Sequence, residues 1–273
     1  MVKLNKDDLK ALALEVLCEI RDICRKNGIA YSLTGGTLIG AVRHGGFIPW
    51  DDDIDIMMPR PDYDRFIELV RSGGKCFNLY SYESCGDDYW YPFAKACRKN
   101  TKIVEKSIVD SNITLGVYVD IFPIDGAGNS FFGAKLRCKL FKILHGLKLT
   151  KNWTCYRRSK IRSWYYEPLR FACYLIGKLF SKHFLNKMLD KFLRAKPYDK
   201  CAYAGRMSGD YGSREIMKKD LFDTKTTVVF EGEEFDAVAD YDSFLRSLYG
   251  DYTVLPPEHK RVTHHDFEAY WVD

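Results

Sequence analysis

Leu33-Thr34-Gly35-Gly36-Thr37 and, soon after it, Trp50-Asp51-Asp52-Asp53-Ile54-Asp55-Ile56 decide how this chain is read. The first segment leaves a short strand, Ile29 to Thr34, and enters a short helix, Thr37 to Arg43. Glycine lets a backbone approach a phosphate closely, and a helix N-terminus offers unpaired N–H groups to an anion. Gly35, Gly36 and Thr37 are therefore candidate phosphate contacts. A Gly45-Gly46 break and the loop Phe47 to Trp50 lead to a strand over Asp53 to Met57. Alternate residues of a strand share a face, so Asp53 and Asp55 point together while Ile54 and Ile56 face the core. Four carboxylates within five residues repel one another, and a cation is the usual remedy. Hard oxygen ligands of this kind suit Mg²⁺ or Mn²⁺. A solvated acidic turn would not continue as Asp-Ile-Asp-Ile, and an EF-hand loop would need a Gly and a closing Glu at offsets where none occur.

Before this segment, Leu9, Leu12, Val16, Ile20 and Ile23 recur at helical spacing, and Asn27-Gly28 offers a stop. After it, Pro61 is placed for the first turn of another helix. Strands are expected around Phe77–Tyr82, Phe93–Arg98 and Gly116–Ile121. The last of these supplies a third acid, Asp120, in otherwise apolar company, where an unpaired carboxylate is costly to bury. Pairing with a nearby Lys or Arg is the plainer explanation for such an acid. Asp125 fits a turn with Gly126. Val228–Phe235 reads as a hairpin turning near Glu231-Gly232, Asp240–Tyr249 as a helix, and the tail from Leu255 as irregular. The expected fold is α+β, a small mixed sheet flanked by helices.

The 273 residues suffice for one large domain or two small ones. Neither a signal-peptide pattern nor an apolar run of bilayer length is visible, which points to a cytoplasmic protein. Nine scattered cysteines without CxxC spacing read as reduced thiols. The net charge of +5 hides an asymmetry. Residues 131–200 hold 18 Lys or Arg against Glu167, Asp190 and Asp199. This basic, aromatic insert reads as two or three helices. The expected organisation is a catalytic core over 1–130, the insert over 131–200, and C-terminal elements over 201–273 that complete the core.

The glycine turn, the Asp53/Asp55 strand and the later Asp120 strand resemble the three-part signature of the nucleotidyltransferase fold of the DNA polymerase β superfamily. More narrowly, Gly36-Thr37-Leu38-Ile39-Gly40-Ala41-Val42-Arg43-His44-Gly45-Gly46-Phe47-Ile48-Pro49-Trp50-Asp51-Asp52-Asp53-Ile54-Asp55 resembles the LicD family. Phe230-Glu231-Gly232, Tyr249-Gly250-Asp251-Tyr252, Leu255-Pro256-Pro257-Glu258, Lys260-Arg261 and His264-His265 are similar to its closing elements. Bacterial members transfer phosphocholine from CDP-choline to cell-surface glycans, and fukutin-related proteins, which transfer ribitol phosphate, are distant relatives. No cysteine cluster of the fukutin-related kind is seen, so no zinc is implied.

The resemblance implies that Asp53, Asp55 and Asp120 hold one or two Mg²⁺ (or Mn²⁺) against the diphosphate of CDP-choline or another CDP-alcohol. Asp51 either joins them or holds their ligands in place, and Asp120 is the candidate base for the acceptor hydroxyl. Arg43, Lys95, Lys260 and Arg261 are candidate contacts to donor phosphates; for Arg43 a plain surface role is equally open. His44 fits a loop anchor better than a catalyst, and His264 and His265 lack matching metal-ligand partners. The acceptor would be a glycan of teichoic acid or lipopolysaccharide type, lipid-linked or free. The insert would rest on the inner face of the membrane, grip an anionic polymer, or serve only as a helical subdomain; nucleic acid is not an expected partner. Two rival classes stand beside this reading: a nucleotidyltransferase moving an NMP to protein or RNA, and a non-catalytic module for anionic surfaces.

Overall fold

The computed structural model describes residues 1–89, 91–105, 113–151, 153, 155–156, 158, 163–209, 211–262 and 267–272. The chain divides into two compact units, one formed by Met1–Ile124 with Lys218–Asp273, the other by Asp125–Met217.

In the first unit the opening helix, Lys6–Asn27, starts at a reciprocal cap: Asn5 accepts from the Asp8 N–H while Asp8 accepts from that of Asn5. It ends where Gly28 turns left-handed, at φ 58°. Its buried stripe, including Leu12, Val16, Leu17, Ile20 and Cys24, covers a mixed sheet. Across that sheet the strands run Ser32–Leu33, Ile54–Pro59, Tyr118–Gly128, Ala94–Arg98 and Phe77–Tyr80. Ile54–Pro59 and Tyr118–Gly128 are parallel neighbours, and the other pairings on this path are antiparallel. The expected α+β architecture is what the chain adopts. Between the first two strands lies the helix Gly35–His44, which begins two residues earlier than its apolar pattern indicated. Pro61 sits in the first turn of the helix Arg60–Leu69, as expected.

The hairpin Lys225–Phe230 and Glu233–Val238 closes on Glu231 and Gly232, both with positive φ, the geometry of a tight two-residue turn. The helix Tyr241–Tyr249 follows, capped by Asp240. The tail departs from its expected irregularity. Phe267–Trp271 forms the middle strand of a second sheet, between Val2–Lys3 and Thr101–Glu105. Its partners lie far away in sequence, so local pattern could not reveal them.

In the second unit three helices, Phe131–Lys151, Glu167–Leu179 and Lys182–Arg194, realise the helical insert. Ala134, Cys138, Phe141, Leu189, Leu193 and Met207 form its small core. Asp125 and Gly126 do not make the expected turn: both continue the long strand, paired with Gly205 and Ala204, and the Asp125 side chain is buried. All nine cysteines are free thiols.

Candidate active site

Strand register places the chemistry. Asp55 lies opposite Asp120 across the parallel pair, and Asp120 lies opposite Lys95 on its other side. Residues directly opposite in a sheet share a face, so these three side chains form one row, neighbours about 4.8 Å apart in the hydrogen-bonding direction. Ile54 and Ile56 turn the other way and are fully buried. The sequence pattern had implied this for one strand; the register extends it over three.

Within the row, Lys95 Nζ donates to Asp120 Oδ1 at 2.6 Å, and both residues are buried. The Lys95 ammonium also lies 3.5 Å from the ring centre of Tyr118 and 4.5 Å from that of Tyr91. Lys95 is thus walled by aromatic faces and directs its charge to Asp120. This is the pairing that a structural acid would also make. Beneath them, burial and then the Asp120 charge keep the Tyr89 phenol neutral.

The glycine turn meets the acids directly. Gly35 has a φ of 59°, and a Cβ there would come within 2.8 Å of Asp55 Oδ2. A Cβ on Gly36 would strike Asp51 Oδ2. Both carboxylates therefore pack on bare backbone at the electropositive start of the helix, a place only glycine leaves open. Thr37, expected at a phosphate, is buried and accepts the Asp55 N–H through its hydroxyl at 2.8 Å. It fixes the helix to the strand. Just before the strand, Asp51, Asp52 and Asp53 each bring a carboxylate oxygen within 4.8 Å of the others, all half-buried. Asp52 was not singled out by sequence reading. Crowded hard oxygens at the positive end of a helix are a donor set that fits Mg²⁺ or Mn²⁺.

The outer residues divide. Arg43 Nη1 donates to the Tyr252 carbonyl at 2.6 Å, and Nε donates to His44 Nε2 at 2.9 Å. Accepting that bond keeps the His44 imidazole neutral, and burial followed by the Arg43 charge lowers its pKa. His44 is an anchor in this geometry. Arg261 lies 5.7 Å from the ring centre of Trp50, with Nε donating to the Pro256 carbonyl, and so brings the tail beside the acidic loop. Of Lys260 only the backbone is described, at the end of a short 3-10 turn; His264 and His265 lie outside the described residues.

Glu231, quoted above only as part of a motif, proves to be a brace. Its carboxylate accepts the Phe47 N–H at 2.8 Å and its own N–H donates to the Gly45 carbonyl. Phe47 and Phe230 pack with ring centres 4.9 Å apart. The loop that carries the acids is thereby held at its start. An acid at a glycine turn was the one local hint.

The pattern of the LicD/FKTN/FKRP nucleotidyltransferase domain matches residues 28–171. The lipopolysaccharide cholinephosphotransferase LicD of Haemophilus influenzae is 33% identical over 278 residues, covering 99% of either chain. The chain belongs to the LicD family. It is an enzyme of the LicD phosphotransferase type. Shorter likenesses exist too: human ribitol 5-phosphate transferase FKRP is 59% identical over 98 residues, 35% of this chain and 17% of that one. An uncharacterised protein of Rickettsia prowazekii is 46% identical over 75 residues, 28% of its length.

Proposed function

We propose that this LicD-family enzyme transfers an alcohol phosphate, phosphocholine foremost, from its CDP-activated form to a hydroxyl of a cell-surface glycan, releasing CMP. The observation that carries it is the row of Asp55, Asp120 and Lys95 beside the Asp51–Asp53 cluster, laid against the glycine start of a helix. The names of the Haemophilus and human relatives, a cholinephosphotransferase and a ribitol 5-phosphate transferase, support an alcohol phosphate as cargo.

The acceptor oxygen bonds to the alcohol-bearing phosphorus, and the bond from that phosphorus to the CMP oxygen breaks. Such a transfer depends on positioning and charge neutralisation more than on covalent chemistry. Asp53, Asp55 and Asp120, with Asp51, would hold the Mg²⁺ or Mn²⁺, which when bound supplies neutralising charge to the diphosphate. Asp120, with Lys95 as its counter-charge, would take the acceptor proton. Gly35 and Gly36 let the Asp55 and Asp51 carboxylates close on the start of the helix, and Thr37 holds that turn to the strand. Arg43 and Arg261 bring positive charge to the rim.

A panel of CDP-choline, CDP-glycerol and CDP-ribitol, with CTP as control and Mg²⁺ or Mn²⁺ present, tests the reading by product analysis. CMP release, fastest from CDP-choline, is expected. Preference for another CDP-alcohol would overturn the head group alone. Diphosphate release from CTP would overturn the reaction class in favour of nucleotidyl transfer.

A further inference from the structure

The second unit carries apolar surface where a soluble helix ordinarily carries polar residues. In Glu167–Leu179 the side facing the neighbouring helix Phe131–Lys151 is set by contacts. A Cβ on Gly177 would meet the Leu147 carbonyl at 2.6 Å, and the Cys173 thiol reaches the Ile143 carbonyl. Phe171, Leu175 and Leu179, at i, i+4 and i+8, form the opposite side, and Leu179 is 80% exposed. Ile176 and Leu169 widen this exposed stripe. The turn before the helix adds Trp164, 82% exposed, and Tyr165.

The helix Phe131–Lys151 repeats the arrangement. Ala134, Cys138 and Phe141 face the core, while Phe132, Leu136 and Leu140 are exposed on the other side, ahead of the stretch from Ile143 on that the helix Glu167–Leu179 covers. Exposed apolar stripes of this size mark an interaction surface. Charge selects the partner. Residues 131–200 carry a net +15, so a second copy would bring like charge to the contact, whereas an anionic bilayer is complementary. Among the described residues no helix is long and apolar enough to cross a membrane, so contact would be confined to the interface.

We infer that the second unit docks on anionic lipid bilayers by laying the Phe171–Leu175–Leu179 face, with Trp164 and Tyr165 beside it, into the headgroup boundary while its lysines and arginines meet lipid phosphates. Amphipathic aromatics at one end of an apolar face are the usual anchors at that depth. The inference is independent of which alcohol the enzyme transfers.

The test is co-sedimentation of the full chain with vesicles of phosphatidylcholine alone, or of phosphatidylcholine and phosphatidylglycerol at three to one. The wild-type protein is expected to partition to the phosphatidylglycerol vesicles, less so at raised salt. The exposed double variant Leu175→Gln/Leu179→Gln, folded by circular dichroism, should lose about tenfold or more in partitioning. Wild-type protein left in the supernatant with both vesicles would overturn the inference. So would a variant that binds as well as the wild type. A wild-type dimer that the same variant converts to monomer would assign the face to a second copy and overturn it too.

Discussion

The two units use charge in opposite ways. The first holds 22 Lys or Arg against 31 Asp or Glu, and its acids are organised: opposite a lysine, against a glycine turn, or gathered in one loop. The second holds 20 against six, and twelve of its cations stand on the three described helices, two of which turn apolar side chains to solvent. Charge placed by strand register serves chemistry, because register fixes distances to fractions of an ångström. Charge spread over helices serves attraction, which needs sign and number more than position.

The difference is sharpest at Lys95 and Asp120. Removing one partner leaves a buried charge uncompensated, so Lys95→Met or Asp120→Asn should destabilise the protein by about 3–5 kcal/mol. The double variant should regain most of that stability in denaturant unfolding while turnover stays lower by orders of magnitude. Turnover restored along with stability would reduce the pair to a strut. In the second unit the corresponding probe is His145, whose pKa is held down to about 4 by burial, then by Lys148 and Lys142. Its folded value lies below that of the unfolded chain, near 6.5, so its contribution is complete above that pH. It is lost as pH falls from about 6.5 towards 4, on the order of 3 kcal/mol in all. Unfolding midpoints of wild type and His145→Gln should converge as the pH is lowered through this window; a constant gap would contradict an imidazole held neutral by the fold. Smallest is the brace: Glu231→Gln weakens a charge-assisted bond to Phe47 N–H and should cost about 1 kcal/mol. A fall in CMP release beyond the lost stability would show that the brace also positions the acidic loop.

Much of the first unit was legible because its signals are local. The 3.6-residue stripe of Leu12, Val16 and Ile20 and the alternation of Asp55 with Ile54 and Ile56 report burial directly. What joins Asp55 to Asp120 and Lys95 is register between strands as much as 65 residues apart, which no local pattern carries. Glu231 is 184 residues from Phe47, and Arg43 is 209 from Tyr252. The strand Phe267–Trp271 was missed for the same reason. In the second unit, spacing revealed helices but not their orientation, since two apolar faces on one helix leave undecided which meets the core. Only the packing of Gly177 and Cys173 settles that.

The central claim is that the acids of the first unit form a metal-dependent transfer site. Its most direct test is a calorimetric titration of Mn²⁺ into wild-type, Asp53→Asn and Asp55→Asn proteins, paired with CMP release from CDP-choline. The account predicts folded variants that bind Mn²⁺ far more weakly and turn over slower by about three orders of magnitude. A folded Asp55→Asn protein that binds Mn²⁺ normally and releases CMP at near the wild-type rate would contradict it.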